Sequence, residues 1–401
     1  MRRVIGVLLA AAVLLGCQEK LTAPADCPAL CPGGQPQVYD EVFTAVAGTD
    51  SSFVGYVQAH QASALLVSNG LLQGFEQRAL VRFSRRVDSV LVRDTLRDYV
   101  IDSVALSFTI VARDTALNGL QLWIYRLPVA IDSTTSFAGI DPAFVPENRI
   151  ATIDIPDSLN TGSVRAVFPG PDPLPVQIPA ADGGQLAVGV RLSAPTTTGL
   201  RLGAANGGNG ALFTSYVTLN VPDTGTAKLR ALALGPEFNT YVSAAPEVVD
   251  STLLTVGGAL SARALLRFNL PPRIRDSASI VRATLELTPV APVTGLPTDP
   301  ARLLARAVLA DVGAKSPLSS TLGRVPEDTL EDGTTTVSLE AVRLVELWLG
   351  ATTRPAALVL SLTPEAASFS RPVFYSTRAA DSLVRPRLRL SYLLSFPFET
   401  P

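Results

Sequence analysis

The sequence predicts an all-β fold: two tandem jelly-roll-like β-sandwich domains, with one short helix in the second. Three observations carry the prediction. Val, Thr, Ser, Leu, Gly and Pro abound while Lys and Met are nearly absent, a composition that favours strands and turns over helices. Most apolar segments alternate apolar with polar residues, the period-two sign of a strand with one buried face. Five such blocks recur in the same order in the two halves of the chain, at a spacing too long for a solenoid, so each copy is expected to have its own core.

The blocks match as follows. Ser63-Ala64-Leu65-Leu66-Val67-Ser68-Asn69-Gly70 is answered by Ser251-Thr252-Leu253-Leu254-Thr255-Val256-Gly257-Gly258. Arg78-Ala79-Leu80-Val81-Arg82-Phe83 is answered by Arg263-Ala264-Leu265-Leu266-Arg267-Phe268, with Ala79, Val81 and Phe83 on one face and Arg78, Leu80 and Arg82 on the other. Ile101–Phe108 corresponds to Ile280–Leu287, Leu186–Leu192 to Ala356–Leu362, and the closing strand Val217–Val221 to Leu388–Tyr392. Turn material such as Asn206-Gly207-Gly208-Asn209-Gly210 separates the strands. The predicted helix spans Thr336 to Gly350, with an apolar stripe of Leu339, Val342, Val345, Trp348 and Leu349. The first copy lacks an equivalent helix around Val176 to Asp182, and also lacks the Phe374-Tyr375-Ser376 block.

At 401 residues, 47% hydrophobic and 17% charged, the chain has ample apolar material for two cores and is too long for one ordinary domain. The expected boundaries are 1–16 for a signal segment, 17–37 for a tether, 38–222 for the first sandwich, 223–235 for a linker, 236–394 for the second sandwich and 395–401 for a tail. A formal net charge of −2 with scattered arginines gives no reason to expect nucleic acid as a partner.

Arg2 and Arg3 precede an unbroken apolar stretch, Val4 to Leu15. Twelve helical residues reach about 18 Å, short of the roughly 30 Å of bilayer hydrocarbon, so the stretch reads as a secretory signal. Leu14-Leu15-Gly16-Cys17 resembles a bacterial lipobox. That resemblance implies cleavage before Cys17, acylation of its thiol and amine by fatty acids such as palmitate, and a lipid anchor in a membrane. Gln18 after the cysteine implies the outer membrane, on its periplasmic face or at the cell surface. Cys27 and Cys31 form an even pair in an oxidising compartment and suggest a small disulfide in the tether.

Chemistry-bearing residues are few. His60 is the only histidine, no Gly-x-Ser-x-Gly elbow accompanies it, and transition metals would find almost no ligands. Glu327, Asp328, Glu331 and Asp332 form the densest acidic cluster but lack EF-hand spacing; Asp88, Asp94, Asp98 and Asp102 read as solvated. The run Gly203 to Gly210 leads into a strand, the wrong geometry to cradle phosphate. No catalytic residue, metal or cofactor is expected. The best binding candidate is the strand Leu120-Gln121-Leu122-Trp123-Ile124-Tyr125. If Leu122 and Ile124 point inward, Trp123 and Tyr125 share an outward face on which a sugar could stack. The competing expectation is that a loop or the other domain covers that face.

The order Arg263–Phe268, Ile280–Leu287, Val337-Ser338-Leu339, Leu344–Trp348, Phe374–Thr377 and Pro386–Tyr392 resembles the disaggregatase-related (DNRLRE-type) repeat domains, which are similar to carbohydrate-binding-module β-sandwiches. The resemblance implies a secreted or surface protein accessory to polysaccharide use or display, with no specific catalytic residue. The function expected is therefore a membrane-anchored extracytoplasmic lipoprotein whose non-catalytic modules bind polysaccharide or another surface ligand; the alternative is a structural or assembly protein that contacts other envelope proteins.

Overall fold

A computed structural model describes residues 37–394 except 73–74, 93, 172, 179, 220–227, 245–249, 320–325 and 351–352. Cys17, Cys27, Cys31 and the apolar leader lie outside the described residues. Among those residues no helix is long and apolar enough to cross a membrane.

The chain is an all-β protein of two sandwiches built on one plan. In one sandwich, a four-stranded layer orders Val38–Thr44, Arg387–Leu394, Ala278–Leu287 and Val337–Glu340. Its five-stranded layer orders Glu327–Leu330, Ala301–Ala307, Ala357–Thr363, Arg263–Arg267 and Ser51–Phe53, and a separate ribbon pairs Leu253–Thr255 with Val373–Tyr375. In the other sandwich, Lys228–Leu234, Leu212–Leu219, Thr95–Arg113 and Gly162–Pro169 form the first layer. Arg149–Asp154, Gln121–Leu127, Ala187–Ser193, Phe75–Phe83 and Pro236–Ser243 form the second. Here the ribbon, Gly199–Gly203 with Ala64–Leu72, also hydrogen-bonds to both layers, so the whole becomes one twelve-stranded sheet.

The repeat holds at the level of register. Ala187 lies opposite Arg82, and Ala357 opposite Arg267. Leu106 lies opposite Phe213, and Leu285 opposite Leu388. The Phe374 block thus has a structural counterpart in the first copy, Gly199–Gly203, although its residues share no motif. Alternation places the side chains as expected: Ala79, Val81 and Phe83 are fully buried in one core, and Ala264, Leu266 and Phe268 are buried in the other.

The strand pairing departs from the expected domain boundaries. Val38–Thr44 and Ser51–Phe53 open the first half of the sequence, yet they complete the sandwich of the second half. Lys228–Leu234, expected in the linker, and Pro236–Ser243, expected to open the second domain, complete the sandwich of the first. Each copy lends its first two strands to the other. The sandwiches therefore comprise residues 64–243, and 38–53 with 253–394. Period two identifies a strand and its buried face but carries no information about which edge it pairs with, so the boundaries drawn at 222 and 236 are corrected.

The helix is also shorter than expected. It runs from Val342 to Leu349, and Leu344, Val345 and Trp348 are its buried residues. Val337–Glu340 is instead a strand alternating buried and exposed residues, with Leu339 opposite Leu285. Val-Ser-Leu-Glu satisfies period two as well as a helical stripe, and the β-branched run Thr334-Thr335-Thr336-Val337 favours extension. Trp348 seats the helix: its ring packs 6.1 Å from that of Phe268 and its Nε1 donates to the Ala357 carbonyl at 3.2 Å. Two further short helices, Phe137–Ile140 and Pro272–Ser277, were not expected.

The exchange predicts an outcome that a simple tandem would not give. A fragment of residues 56–244 should fold alone, whereas one of residues 38–222, which keeps its own arm but lacks Lys228–Ser243, should not. Amide dispersion in NMR spectra of the two fragments checks this, and a well-dispersed 38–222 fragment would contradict the pairing.

Candidate functional site

The two arginines of each Arg-Ala-Leu-x-Arg-Phe block point away from the cores, and each clamps chain that crosses the outer face of its sheet. Arg78 Nε donates to Glu76 at 2.7 Å and its NH1 donates to Asp141 at 2.7 Å. Its guanidinium also lies 4.3 Å from the Phe137 ring centre and 4.4 Å from that of Phe144. Burial works against the Arg78 charge, but hydrogen bonds and ionic attraction from Glu76 and Asp141 prevail and raise its pKa above the ordinary value. Arg82 donates to the carbonyls of Val129 and Ile131, both at 3.0 Å. In the second copy Arg263 pairs with Glu365 at 2.7 and 2.8 Å, and Arg267 with Asp311 at 2.5 and 2.9 Å.

In the first sandwich the clamped segment, residues 128–148, decides the fate of the expected aromatic face. Leu122 and Ile124 point into the core, as the alternation requires. Tyr125 does not form an exposed platform: it is 3% exposed and belongs to a second apolar cluster with Leu80, Ile131, Ile140 and Phe144. The Phe144 ring sits 5.0 Å from the Tyr125 ring. Gly189, opposite Tyr125, makes this possible, because a Cβ there would stand 2.4 Å from Phe144 Cζ. The platform fails because an apolar strand face with chain close by is covered, and covering it removes about 25 cal/mol per Å² of apolar surface from water.

Trp123 remains half-buried on the same face. It lies opposite Arg191 on one neighbouring strand and Thr152 on the other. The guanidiniums of Arg149 and Arg191 lie 5.1 and 5.9 Å from its ring centre. Its Nε1 donates to Gln121 Oε1 at 3.3 Å, and Gln121 Nε2 donates to Asp154 at 2.8 Å. Arg191 pairs with Glu76 at 2.8 Å, while Arg149, exposed, makes no ion pair among the described residues. The result is a partly open indole ringed by planar hydrogen-bonding groups. Sequence reasoning found Trp123 but missed Arg149 and Arg191, which become neighbours only through strand pairing.

The other candidates take structural places. His60 lies in the turn Ala59–Gln61 with its ring 6.1 Å from that of Phe238. Asp332 accepts from the Gly295 N–H at 3.1 Å, and no group of three potential metal ligands forms among the described residues. Gly203 leads into the turn Ala205–Gly207 and then the strand Leu212–Leu219, as expected.

No family model and no curated protein matches the chain. Among solved structures it is similar to the M60 catalytic domain with the CBM51-1 and CBM51-2 domains from Clostridium perfringens ZmpB, at 7% identity and a TM-score of 0.14, over 84% of this chain and 38% of that one. It thus spans well under half of that protein's length. The Macrobrachium rosenbergii nodavirus structure is 10% identical, with a TM-score of 0.15 over 94% and 93% of the two chains. The infectious bursal disease virus VP2 subviral particle is 12% identical, with a TM-score of 0.12 over 93% and 83%. At these scores the likeness supports no argument about fold or function.

Two substitutions test the clamps. Phe144→Ala should cost about 3 kcal/mol in urea unfolding, the usual loss for a buried ring, and should raise the solvent accessibility of Tyr125 in near-ultraviolet spectra. Asp311 is held below the usual carboxylate range, chiefly by the hydrogen bond from Arg267 and helped by the Gly313 N–H and the Arg267 charge, against the opposing effect of burial. A depressed folded pKa contributes stability above the unfolded pKa and loses it as pH falls through the folded one. The stability gap between wild type and Asp311→Asn should therefore close as the solution is acidified below that range.

Proposed function

We propose that the protein is a non-catalytic, lipid-anchored module of the bacterial envelope, of the DNRLRE type, that binds polysaccharide through the patch around Trp123. The observation that carries this reading is the half-exposed indole flanked by Arg149 and Arg191, with Gln121 and Asp154 at its edge. Sugar hydroxyls are recognised by such planar donors and acceptors, and the apolar faces of a sugar ring by an aromatic neighbour. The state of the acids also supports a non-catalytic role. Glu76, Asp299 and Glu365 are each engaged by an arginine that ties chain segments together, and Asp311 is held below the usual carboxylate range chiefly by its hydrogen bond from Arg267, whereas a general acid needs the reverse.

Anchoring through acylated Cys17 would place residues 18–37 between the membrane and Val38. Because Val38–Thr44 belongs to the sandwich of the second half, that sandwich would stand next to the membrane and the Trp123 face would sit on the other one.

The test uses the soluble chain without residues 1–37 on a broad glycan panel. Retention on a polysaccharide, weakened about tenfold by Trp123→Ala, is expected, since loss of one aromatic contact of this kind costs about 1.4 kcal/mol. Retention unaffected by that substitution would overturn the assignment of the patch.

A second reading, an assembly protein docking envelope partners, is favoured by one feature. The hairpin Ser89–Val92 and Thr95–Arg113 carries Leu91, Leu96 and Val100 at 59%, 67% and 62% exposure, and exposed apolar patches of this kind mark interaction sites. Cross-linking in intact cells should then recover an envelope protein; recovery of the chain alone weakens this reading.

A further inference from the structure

Four asparagines precede a glycine: Asn69, Asn118, Asn206 and Asn209. In such a pair the main-chain nitrogen of the glycine can reach the side chain before it, because glycine has no Cβ to block the approach. The reaction requires the asparagine amide to turn toward that nitrogen, so the fold decides which of the four can react.

Three are held. Asn69 Nδ2 donates to the Thr196 carbonyl at 2.9 Å, its Oδ1 accepts from the Thr198 N–H at 2.6 Å, and Gly70 is buried. Asn206 Nδ2 donates to the His60 carbonyl at 3.2 Å, and Gly207 is packed so closely that a Cβ there would stand 2.2 Å from the Ser63 carbonyl oxygen. Asn209 Oδ1 is buried, and a Cβ on Gly210 would stand 3.1 Å from the Ala205 nitrogen and 3.2 Å from Pro236 Cγ. Asn118 differs on both counts. It is exposed, and its side chain makes no hydrogen bond among the described residues. Gly119 is exposed with φ +70°, and a Cβ there would meet nothing within 4 Å. The Gly119 N–H donates to Asp157 Oδ1 at 3.1 Å, an exposed contact for which water competes.

We propose that Asn118-Gly119 is a site of spontaneous covalent modification, converting to aspartate and isoaspartate in the folded chain while the other three asparagines persist. The Gly119 nitrogen bonds to Asn118 Cγ, the Cγ–Nδ2 bond breaks, and Nδ2 leaves as ammonia with the proton that Gly119 gives up. Water then opens the five-membered imide at either of its carbonyls. No oxidant, metal or second protein takes part. The change replaces a neutral amide by a carboxylate, and isoaspartate also lengthens the main chain by one carbon. Both effects fall in the loop that holds Arg113, which is 1% exposed and donates to the carbonyls of Asp114, Pro156 and Leu117 at 3.2, 3.4 and 2.7 Å. The Arg113 carbonyl accepts from the Thr298 hydroxyl of the second half. Neither glycan binding nor lipid anchoring enters this inference.

The test ages the soluble chain, residues 38–394, in warm, mildly alkaline buffer and maps its peptides by mass spectrometry, with electron-transfer fragmentation to tell isoaspartate from aspartate. Each hydrogen bond that must break first slows the reaction a few-fold, and such bonds together with close packing slow it about tenfold. Conversion at Asn118 should therefore run about tenfold ahead of the other three. In urea, where no fold restrains them, all four should convert at comparable rates. Asn118→Gln, which would need a larger ring, should stay unmodified at that position, and as an exposed substitution it should fold as the wild type does. Equal rates at the four sites in the folded chain, or the same ranking in urea as in the fold, overturns the proposal.

Discussion

The hydrogen-bond ladders of the two exchanged arms are the constraint on which the rest of the molecule depends. Seven residues of Val38–Thr44 pair with Arg387–Leu394, and seven of Lys228–Leu234 pair with Leu212–Leu219. Without its arm each sandwich would present unpaired N–H and C=O groups along two strands, one in each layer, and an uncovered flank of its core. Each arm also inserts a buried polar residue at the same position. Asp50, 1% exposed, accepts from the Thr377 N–H at 2.9 Å and from its hydroxyl at 2.6 Å. Asn239 accepts from the Ala205 N–H at 2.8 Å. These groups satisfy turn backbone that no strand partner reaches, so a seated arm repairs a turn as well as an edge.

The crossing chains bring the two halves into contact, and the contact is specific. A single terminal nitrogen of Arg201, NH1, donates to both carboxylate oxygens of Asp299, at 2.5 and 2.6 Å, in a largely buried setting. A buried pair of this kind fixes geometry more than it adds net stability, because desolvation offsets much of the attraction. Apolar closure accompanies it: Leu296, Ala366, Ala367 and Phe369 of the second half join the core cluster of the first. Tyr241, carried on the lent arm, donates to the Ala366 carbonyl at 2.7 Å. A residue that sequence alone assigns to the second domain is thus part of the first core and bonded back to its own half.

What was legible in the sequence was whatever depends on a residue and its near neighbours. The inward faces of Arg78–Phe83 and Arg263–Phe268 follow from local pattern, whereas the closing strands correspond only as strands, since register sets Phe213 and not Val217 in the place of Leu388, and short helical turns at Leu174–Val176 and Ala180–Asp182 stand where no helix was expected. What was hidden depends on partners far along the chain. Val38–Thr44 alternates equally well whichever sheet receives it. Val337–Glu340 fits both a helical stripe and a strand, and the choice falls to Ala278–Leu287, which supplies the edge. Tyr125 reads as half of an exposed pair until Phe144 is found over it, and the small signal for that cover was Gly189, a glycine in the middle of a strand.

The two sandwiches share a frame and differ in what crosses it. Register equates Trp123 with Leu304, since Leu122 faces Leu192 as Leu303 faces Leu362. Leu304 is buried, and the outer face of its sheet carries the small apolar cluster that includes Phe53. A tryptophan with its ring at the surface therefore occurs on one copy and a buried leucine on the other, at equivalent places on equivalent sheets. The arginines that point outward are common to both and are occupied with holding chain in place. The residues the copies do not share are what make the two outer faces unlike, and the exchange of arms ties the strands that carry them together.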